Sequence, residues 1–353
     1  MKLHLPRLTC NLVIVAFGFC TAGIFAGTTP AAPKTSLSGE AKVKYTSNLY
    51  NLSDEKEELI DVENAPGERF FGMQGPEDLL YIIGGDATLR WKLKKKCYAK
   101  AFVGAKGTYH QDNAIADYER VKGGASADVT RHDNLKLSAY AVSDRFKKNY
   151  ESSKDHFEPA TYDEDGVRLR YLRTINKDWV AGIAVSQSAR TFNDPFSPRN
   201  RDSEAVVVYT ELDVRKGVTL ALGAGSLQAQ TGVETIVKKK YSYPRDRSFD
   251  QEHVEASVHL KCPQGWRASV GALFTTKEYT SSEPLDTLYN GRVDDIVKYA
   301  ASLARKVRDN VAVVVEVSLT EKQSNRVDDG DSEDDEEVNY ETAAFGAAVE
   351  ITF

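Results

Sequence analysis

The chain has 353 residues, of which 41% are apolar and 28% charged, with 17 Tyr and a formal net charge of −6. Its mean hydropathy is negative, which excludes a helical membrane protein but suits a β-barrel, because a barrel strand alternates apolar with polar residues. The acidic balance argues against binding to nucleic acid.

The amino-terminal residues have the order of a secretory signal peptide. Two basic residues precede an apolar run over 12–25, and a small residue, Ala26, follows it. That run is short for a membrane-spanning helix. We therefore predict a signal peptide over 1–26, cleaved near Ala26, and a short periplasmic segment over 27–39. A lipoprotein signal at Cys20 is less favoured because a bulky Phe precedes it.

Segments with a two-residue period recur from Glu40 to Phe353. In the second of them, Tyr81, Ile83 and Leu89 alternate with charged residues. This period is that of a strand with one apolar and one polar face, and most segments have the nine or more residues that a tilted membrane strand needs. The fourteen predicted strands are 40–50, 79–93, 97–109, 118–130, 135–145, 167–175, 179–187, 205–215, 218–228, 253–262, 266–277, 296–307, 311–322 and 340–353.

Short and long connections alternate between these strands. The short ones contain turn-forming Asn, Asp, Gly or Pro, or basic residues, whereas the long ones are polar. The long connections are 51–78, 111–116, 151–165, 192–204, 231–252, 279–295 and 323–341. This asymmetry is typical of a barrel with periplasmic turns and extracellular loops, and an even strand count places both ends of the barrel on the periplasmic side.

The last strand presents Phe345, Val349, Ile351 and Phe353 on one face. By this terminal pattern and by its strand layout, the chain resembles Gram-negative outer-membrane β-barrels, in particular monomeric fourteen-stranded porin-like channels. The resemblance implies an all-β, antiparallel up-and-down transmembrane barrel over 40–353 in the cell outer membrane. It further implies contact with outer-membrane lipid and lipopolysaccharide, and presentation of the last strand to the barrel-assembly machinery. Because no residues are aligned, no site of that family is transferred.

Basic residues recur on the polar face of the predicted strands. Since Arg or Lys on a lipid face costs about 2–4 kcal/mol at the bilayer midplane, we expect these side chains to line an aqueous lumen. They either create a field that favours anions or belong to a ladder of mutually neutralising pairs without solute preference. The predicted lining residues are Lys42, Lys44, Arg90, Lys100, Lys106, Arg120, Lys122, Lys136, Arg168, Arg170, Arg267 and Lys298.

Two of the long connections are strongly acidic. Carboxylates crowd 54–63 and 328–337, which is typical of solvated tips and leaves a surface partner as an alternative. A weaker hypothesis is a divalent cation at Asp328, Asp329, Asp331 and Asp335, whose spacing is not that of an EF-hand.

The first long connection also has an apolar segment. Arg69, Phe70, Phe71 and Met73 could either fold into the lumen as a constriction or pack on the rim and contact a partner.

A polar stripe on one strand is the main candidate for catalysis. His253, Glu255, Ser257 and His259 share a face, but same-face neighbours are roughly 7 Å apart, so a second strand would have to complete a site. The sequence has no phosphate loop and no paired-cysteine zinc motif. We therefore predict neither an enzyme nor a cofactor.

Two cysteines, Cys97 and Cys262, follow the predicted signal peptide. An oxidising compartment favours disulfides, but the predicted strands place these residues seven strands apart in a ring of fourteen. We therefore expect two free thiols.

These features predict an outer-membrane channel for passive or loosely selective passage of small hydrophilic, anionic solutes. One alternative is a non-conducting barrel that acts as an anchor, adhesin or assembly partner. A second alternative is a transporter of hydrophobic compounds of the fatty-acid type. That family has a plug domain before its first strand, and the residues before the first predicted strand are too few to form one.

Overall fold

The computed structural model describes residues 32–353, except 53, 61, 95–96, 154–155, 239–240 and 326–338. Fourteen antiparallel strands form a closed barrel, and two further strands form a separate small sheet. The predicted all-β antiparallel barrel is thus confirmed. The predicted signal peptide lies outside the described residues, as do Asp328, Asp329, Asp331 and Asp335.

Sequence neighbours pair around the ring except where β9 pairs with β12, and β1 closes the barrel on β16. A four-residue helix, α1, covers Asp54–Glu57, and short 3₁₀ turns lie at Ala114–Ala116, Ser197–Arg199 and Pro263–Gly265. The barrel strands are β1 (Lys34–Thr46), β2 (Asp78–Lys94), β3 (Cys97–His110), β4 (Tyr118–Asp128), β5 (Asp133–Ser153), β6 (His156–Thr174), β7 (Trp179–Phe192), β8 (Arg201–Arg215), β9 (Val218–Thr231), β12 (Phe249–Lys261), β13 (Trp266–Tyr279), β14 (Val293–Arg308), β15 (Val311–Ser324) and β16 (Tyr340–Thr352), and the small sheet is β10 (Val233–Lys238) with β11 (Tyr241–Asp246).

The first strand begins earlier than predicted. β1 starts at Lys34, which is paired with Arg90 of β2, so residues 34–39 belong to the barrel rather than to a periplasmic segment. Apolar alternation could not predict this start, because the segment that contains Ser36, Ser38 and Gly39 is mostly small and polar.

The connection between β5 and β6 is also shorter than predicted. Residues 151–165, expected as a loop, are mostly strand, and the two strands pair up to Ser153 and His156. The pairing is irregular between Val142 and Arg145, where Asp144 has a φ of 50°. A bulge of this kind lets a strand bend away from its neighbours, and here it marks the base of a hairpin that extends beyond the adjacent strands.

The outer face of the barrel is covered with large apolar side chains. Ile83 is 60% exposed and Val270 is 64% exposed, and Tyr81 and Tyr109 are paired side by side near the extracellular end. Within the described part of the chain, no helix is long and apolar enough to cross a membrane.

Cys97 and Cys262 are both free. Cys97 opens β3 and Cys262 directly follows β12, and these two strands are seven positions apart in either direction around the ring. Both thiols therefore lie at the end of the barrel with the short turns, on opposite sides of it.

Candidate functional site: the charged interior of the barrel

The pairing of the strands places the twelve predicted lining residues on one face. Residues directly opposite each other in antiparallel strands project from the same side of the sheet. Arg90 is paired with Lys100, and Lys106 with Arg120. The register then continues around the ring to Lys298 and Lys44. The exposed apolar residues occupy the other face, so these cations point into the barrel.

Part of this interior wall carries paired charges. Lys122 Nζ lies 2.8 Å from Asp86 Oδ1, Lys106 Nζ lies 3.2 Å from Glu40 Oε2, and Lys42 contacts Glu316. Each pair joins two strands that are separated by a third. Gly104 and Gly84 lie directly between the first two pairs, and in the third pair Gly346 is opposite Glu316 while Lys42 is opposite Ala348. These cations are neutralised locally and add little to a field in the lumen.

Other cations lie on aromatic rings. The guanidinium of Arg90 is 3.7 Å from the centre of the Tyr98 ring, and that of Arg120 is 4.6 Å from the Tyr140 ring. A ring face attracts a cation without cancelling its charge. Arg90 and Arg120 therefore keep their full charge in the lumen.

A second part of the wall concentrates positive charge. Lys136 is directly opposite Arg170, and Arg168 lies two residues from Arg170 on the same face. Among the described residues, no carboxylate is ion-paired with any of the three, and Arg267 at the periplasmic end is likewise opposite a cation, Lys261. Like charges in register are unfavourable unless water or counter-ions screen them.

The cavity beside this cluster has a polar lining of mixed charge. It has a volume of about 450 Å³ and is lined by the three cations together with Glu211, Glu255 and the stripe residues Ser257 and His259. The interior therefore combines the two sequence-based alternatives: a ladder of neutral pairs on one side and an excess of cations on the other.

A second cavity, which we call the upper chamber, lies at the extracellular end of the lumen. It has a volume of about 220 Å³ and is lined from β5, β7, β8, β9 and β12–β16, and by Tyr50 and Asn51 of the first loop. Asp294 is the one acidic residue among the described residues that line this chamber. Its basic lining residues are Lys147, Lys148, Arg190, Arg199, Arg201, Arg247, Lys277 and Lys322.

Of these upper-chamber cations, the sequence pattern places Lys277 on the inward face of a predicted strand and misses the others. They lie at strand ends or in the long connections, where apolar alternation has stopped. The one available signal was the unusual basic content of connections in an acidic chain, such as the two arginines at 245 and 247.

Two connections fold into the mouth of the barrel and narrow it. In the connection 280–292, Tyr289 is fully buried, with its ring centre 5.0 Å from that of the inward-facing Tyr279. The second connection contains the small sheet of β10 and β11. Its Arg245, on β11, lies 3.6 Å from Asp286 of the connection 280–292. Asp294 of β14 anchors the connection 280–292, with its carboxylate 2.8 Å from Arg292 Nε and 2.9 Å from Lys322 Nζ.

The buried charges of these connections perturb one another. Burial alone would raise the pKa of Glu234, but the charge of Arg247, whose Nη1 is 2.7 Å away, brings that pKa below its usual value. At Asp286 the balance is reversed: burial raises the pKa, and Arg245 offsets this only in part. Ion pairs therefore hold the two connections in the mouth, and the pKa values of Glu234 and Asp286 depend on the neighbouring arginines.

The apolar segment of the first loop packs within that loop and against β5. Phe70 and Met73 are buried with Leu52, Ile60 and Phe146. Asn149 Nδ2 of β5 donates hydrogen bonds to the carbonyl oxygens of Arg69 and Phe71, at 3.0 and 2.8 Å. Phe70 and Met73 are thus core residues of this loop, whereas Phe71 is 40% exposed. A constriction of the lumen by this segment, or contact with a partner, stays a prediction.

The predicted assembly residues lie on the outer face of the last strand. Phe345, Val349 and Phe353 are exposed, and Ile351 is half-buried. The backbone of Phe353 exchanges hydrogen bonds with that of Leu37, so pairing with β1 continues to this residue. Recognition by an assembly machinery stays a prediction.

The expectation that neighbouring side chains of the polar stripe are out of hydrogen-bond reach is wrong for Ser257 and His259. Ser257 Oγ and His259 Nε2 lie 3.1 Å apart, because the imidazole reaches back along the strand and spans the gap between the two Cβ atoms. A general base also needs a group that orients it, and within the described residues His259 has no carboxylate partner. No set of described His, Cys, Asp and Glu side chains is arranged to hold a metal ion.

A closed antiparallel barrel with an apolar outer face and a charged, polar interior is a transmembrane β-barrel of the outer-membrane type. The outer face meets lipid, and every barrel strand has a hydrogen-bonded neighbour on both sides because the ring has no edge.

No protein-family model matches the chain, and no curated protein matches it significantly. Among solved structures, a loop-deletion variant of OmpT, an outer membrane protein of Vibrio cholerae, is 10% identical, with 92% of this chain and 100% of that chain covered and a TM-score of 0.43. A mutant of the TodX monoaromatic hydrocarbon channel is 9% identical over 92% and 90%, with a TM-score of 0.45. A porin is 8% identical over 91% and 100%, with a TM-score of 0.38. Such low similarity carries no functional inference to this chain.

Proposed function

We propose that the protein is an outer-membrane channel that favours the passage of small hydrophilic anions and leaves them chemically unchanged. The observation that carries this proposal is the cluster of Lys136, Arg168 and Arg170, whose charge is not cancelled by a described ion-paired carboxylate. Cations fixed along a water-filled path lower the energy of a passing anion. A charged lining also favours hydrophilic over hydrophobic solutes.

The test is the reversal potential of the refolded protein in a planar bilayer under a salt gradient. We expect a steady conductance with anion preference, which weakens as salt is raised because the Debye length is only about 10 Å at 0.1 M ionic strength. The triple variant Lys136→Gln, Arg168→Gln, Arg170→Gln should weaken this preference, of which Arg90 and Arg120 preserve a part.

The matched control removes a neutral pair from the same wall. In Lys42→Gln combined with Glu316→Gln, the net charge of the lumen is unchanged, so the anion preference should persist. A cation-preferring wild type, or an equal loss in both variants, would contradict the proposal. Silence in the bilayer would favour the non-conducting anchor or adhesin.

A further inference from the structure

The cavity of about 450 Å³ beside the cationic cluster contains charges of both signs that are not paired with one another. Lys136, Arg168 and Arg170 line it from β5 and β6, and Glu211 and Glu255 line it from β8 and β12. Among the described residues, none of these five side chains belongs to an ion pair. This cavity therefore differs from the paired wall, where opposite charges are in contact.

The register of the strands explains why Glu255 has no cation beside it. In the paired wall, a carboxylate and a lysine on two outer strands meet above Gly104 of the strand between them. Glu255 lies over Gly223 in a similar way, because a methyl group there would be 2.5 Å from its Oε1. The residue on the other side of Gly223, however, is Tyr209 of β8. The position that a lysine occupies in the paired wall is thus taken by a neutral ring.

The register also gives the other charges neighbours of no opposite sign. Ser257 lies across β9 from Glu211, and Val207 lies across β7 from Arg170. Neither neighbour can neutralise the charge that it faces. Each charge therefore remains open to a partner that enters through the lumen.

The ring of Tyr209 separates the two signs of charge. It lies on Gly182 of β7, where a methyl group would be 2.5 Å from its Cζ. It therefore covers the wall between the cations of β6 and the carboxylates of β8 and β12. On the basic side, Lys136 Nζ lies 4.5 Å from the centre of the Phe102 ring, which positions the cation without neutralising it. The cavity thus has a basic side, an acidic side and a neutral surface between them.

The distance between the two sides determines which solute can bridge them. Neighbouring strands are about 4.8 Å apart, so the backbone of β6 is roughly 10 Å from that of β8 and roughly 19 Å from that of β12 along the wall. The side chains shorten these distances. A free amino acid carries its ammonium and its carboxylate on one carbon, whereas the termini of an extended tripeptide are roughly 10 Å apart. The hydroxyls of Ser138 and Ser257 in the lining suit the amide groups of such a peptide.

We propose that this cavity binds short zwitterionic peptides, with the terminal carboxylate at the cations of β5 and β6 and the terminal ammonium at Glu211 and Glu255. The separated charges of the wall orient such a peptide across the lumen. The proposal deepens the proposed function and rests on it, because the same cations attract anions and the peptide reaches them through the channel.

The test compares trialanine with forms that lack one of its two charges. In a ligand-observed NMR titration of the refolded full-length protein, in uncharged detergent at low salt, trialanine should bind saturably. N-acetyltrialanine and trialanine amide should each bind at least about tenfold more weakly, because each loses a charge-assisted contact. Alanine, which cannot bridge the two sides, should also bind at least about tenfold more weakly. Equal or tighter binding of N-acetyltrialanine would show a site for anions alone and would overturn the proposal, as would equal binding of the amide or of alanine.

Variants locate the site. Glu211→Gln combined with Glu255→Gln should remove the advantage of trialanine over N-acetyltrialanine, and Glu255→Gln alone should reduce it. The control Glu40→Gln combined with Glu350→Gln removes the same charge from a different cavity of the lumen and should keep the advantage. The gel shift of the folded barrel verifies that each variant folds.

The outcomes separate the two proposals. Absent binding of trialanine, an advantage that survives the loss of Glu211 and Glu255, or an equal loss in the control overturns the site even if the channel prefers anions. Saturable binding that depends on Glu211 and Glu255, in a protein that does not conduct, supports the site and overturns the channel.

Discussion

Arginine placed on the outer face at mid-strand should destabilise the barrel far more than arginine placed one residue further along. Val317 is the seventh of the fourteen residues of β15 and is 52% exposed on the outer face, opposite Ala301 and Phe345. Ser318 faces the lumen, opposite Ala300 and Ala344, and shares that face with Glu316. Val317→Arg should therefore cost about 2–4 kcal/mol, as Arg does at the bilayer midplane, whereas Ser318→Arg gains water and a nearby carboxylate.

Depth gives a second comparison on the same strand. Val313 also faces outward but lies four residues nearer the periplasmic end, which is about 10 Å along the membrane normal for a rise of about 3.3 Å per residue and a tilt near 40°. Val313→Arg should cost about 0–1 kcal/mol.

The assay is guanidinium unfolding of the protein in phospholipid vesicles, followed by the fluorescence of its three Trp residues. The expected order of free energies lost is Val317→Arg first, then Val313→Arg, with Ser318→Arg least. Equal losses at 317 and 318 would refute the assignment of this face to lipid.

Three further results are expected. Tyr289→Ala should release the connection 280–292 and speed its proteolysis, because a fully buried ring lost from a core costs about 3–5 kcal/mol, whereas Tyr299→Ala on the outer face should not; equal cleavage rates would contradict the packing. Since the pKa of Glu234 is below the 4.5 usual for glutamate, its contact with Arg247 should persist down to about that pH and fail as the pH falls through the lowered value, which amide exchange of 233–246 can follow; Glu234→Gln should lack this acid transition. Spin labels on Cys97 and Cys262 should lie roughly a barrel diameter apart, about 25–30 Å; a separation near 10 Å would rule out the ring order.

The fourteen strands were predictable because lipid and water impose opposite demands on alternate residues. In β15, Val313, Val315, Val317 and Leu319 alternate with polar or small residues, and the period alone reveals the strand. Where that contrast ends, the signal ends too. Near Lys147 the extended β5–β6 hairpin buries Phe146, Lys148 and Asn149 against polar and apolar neighbours alike, so no two-residue contrast marks it and its sequence looks like a loop.

The contacts between the two connections in the mouth lacked a local signature for a different reason. Arg245, Asp286 and Tyr289 are distant in sequence or lie in polar connections, and nothing in their neighbourhoods indicates burial. Their contacts arise only when two connections meet inside a closed ring. The lining cations of the barrel wall, by contrast, followed from strand parity once the lipid face was known.

The glycines beneath the ion pairs of the wall set the width of the lumen. A methyl group at Gly104 would overlap the Asp86 carboxylate and come within 2.8 Å of Lys122 Cε, so both side chains would have to rise from the wall toward the axis. Alanine at that position would therefore narrow the lumen without adding any charge. Bore and electrical character can thus be adjusted separately in this barrel.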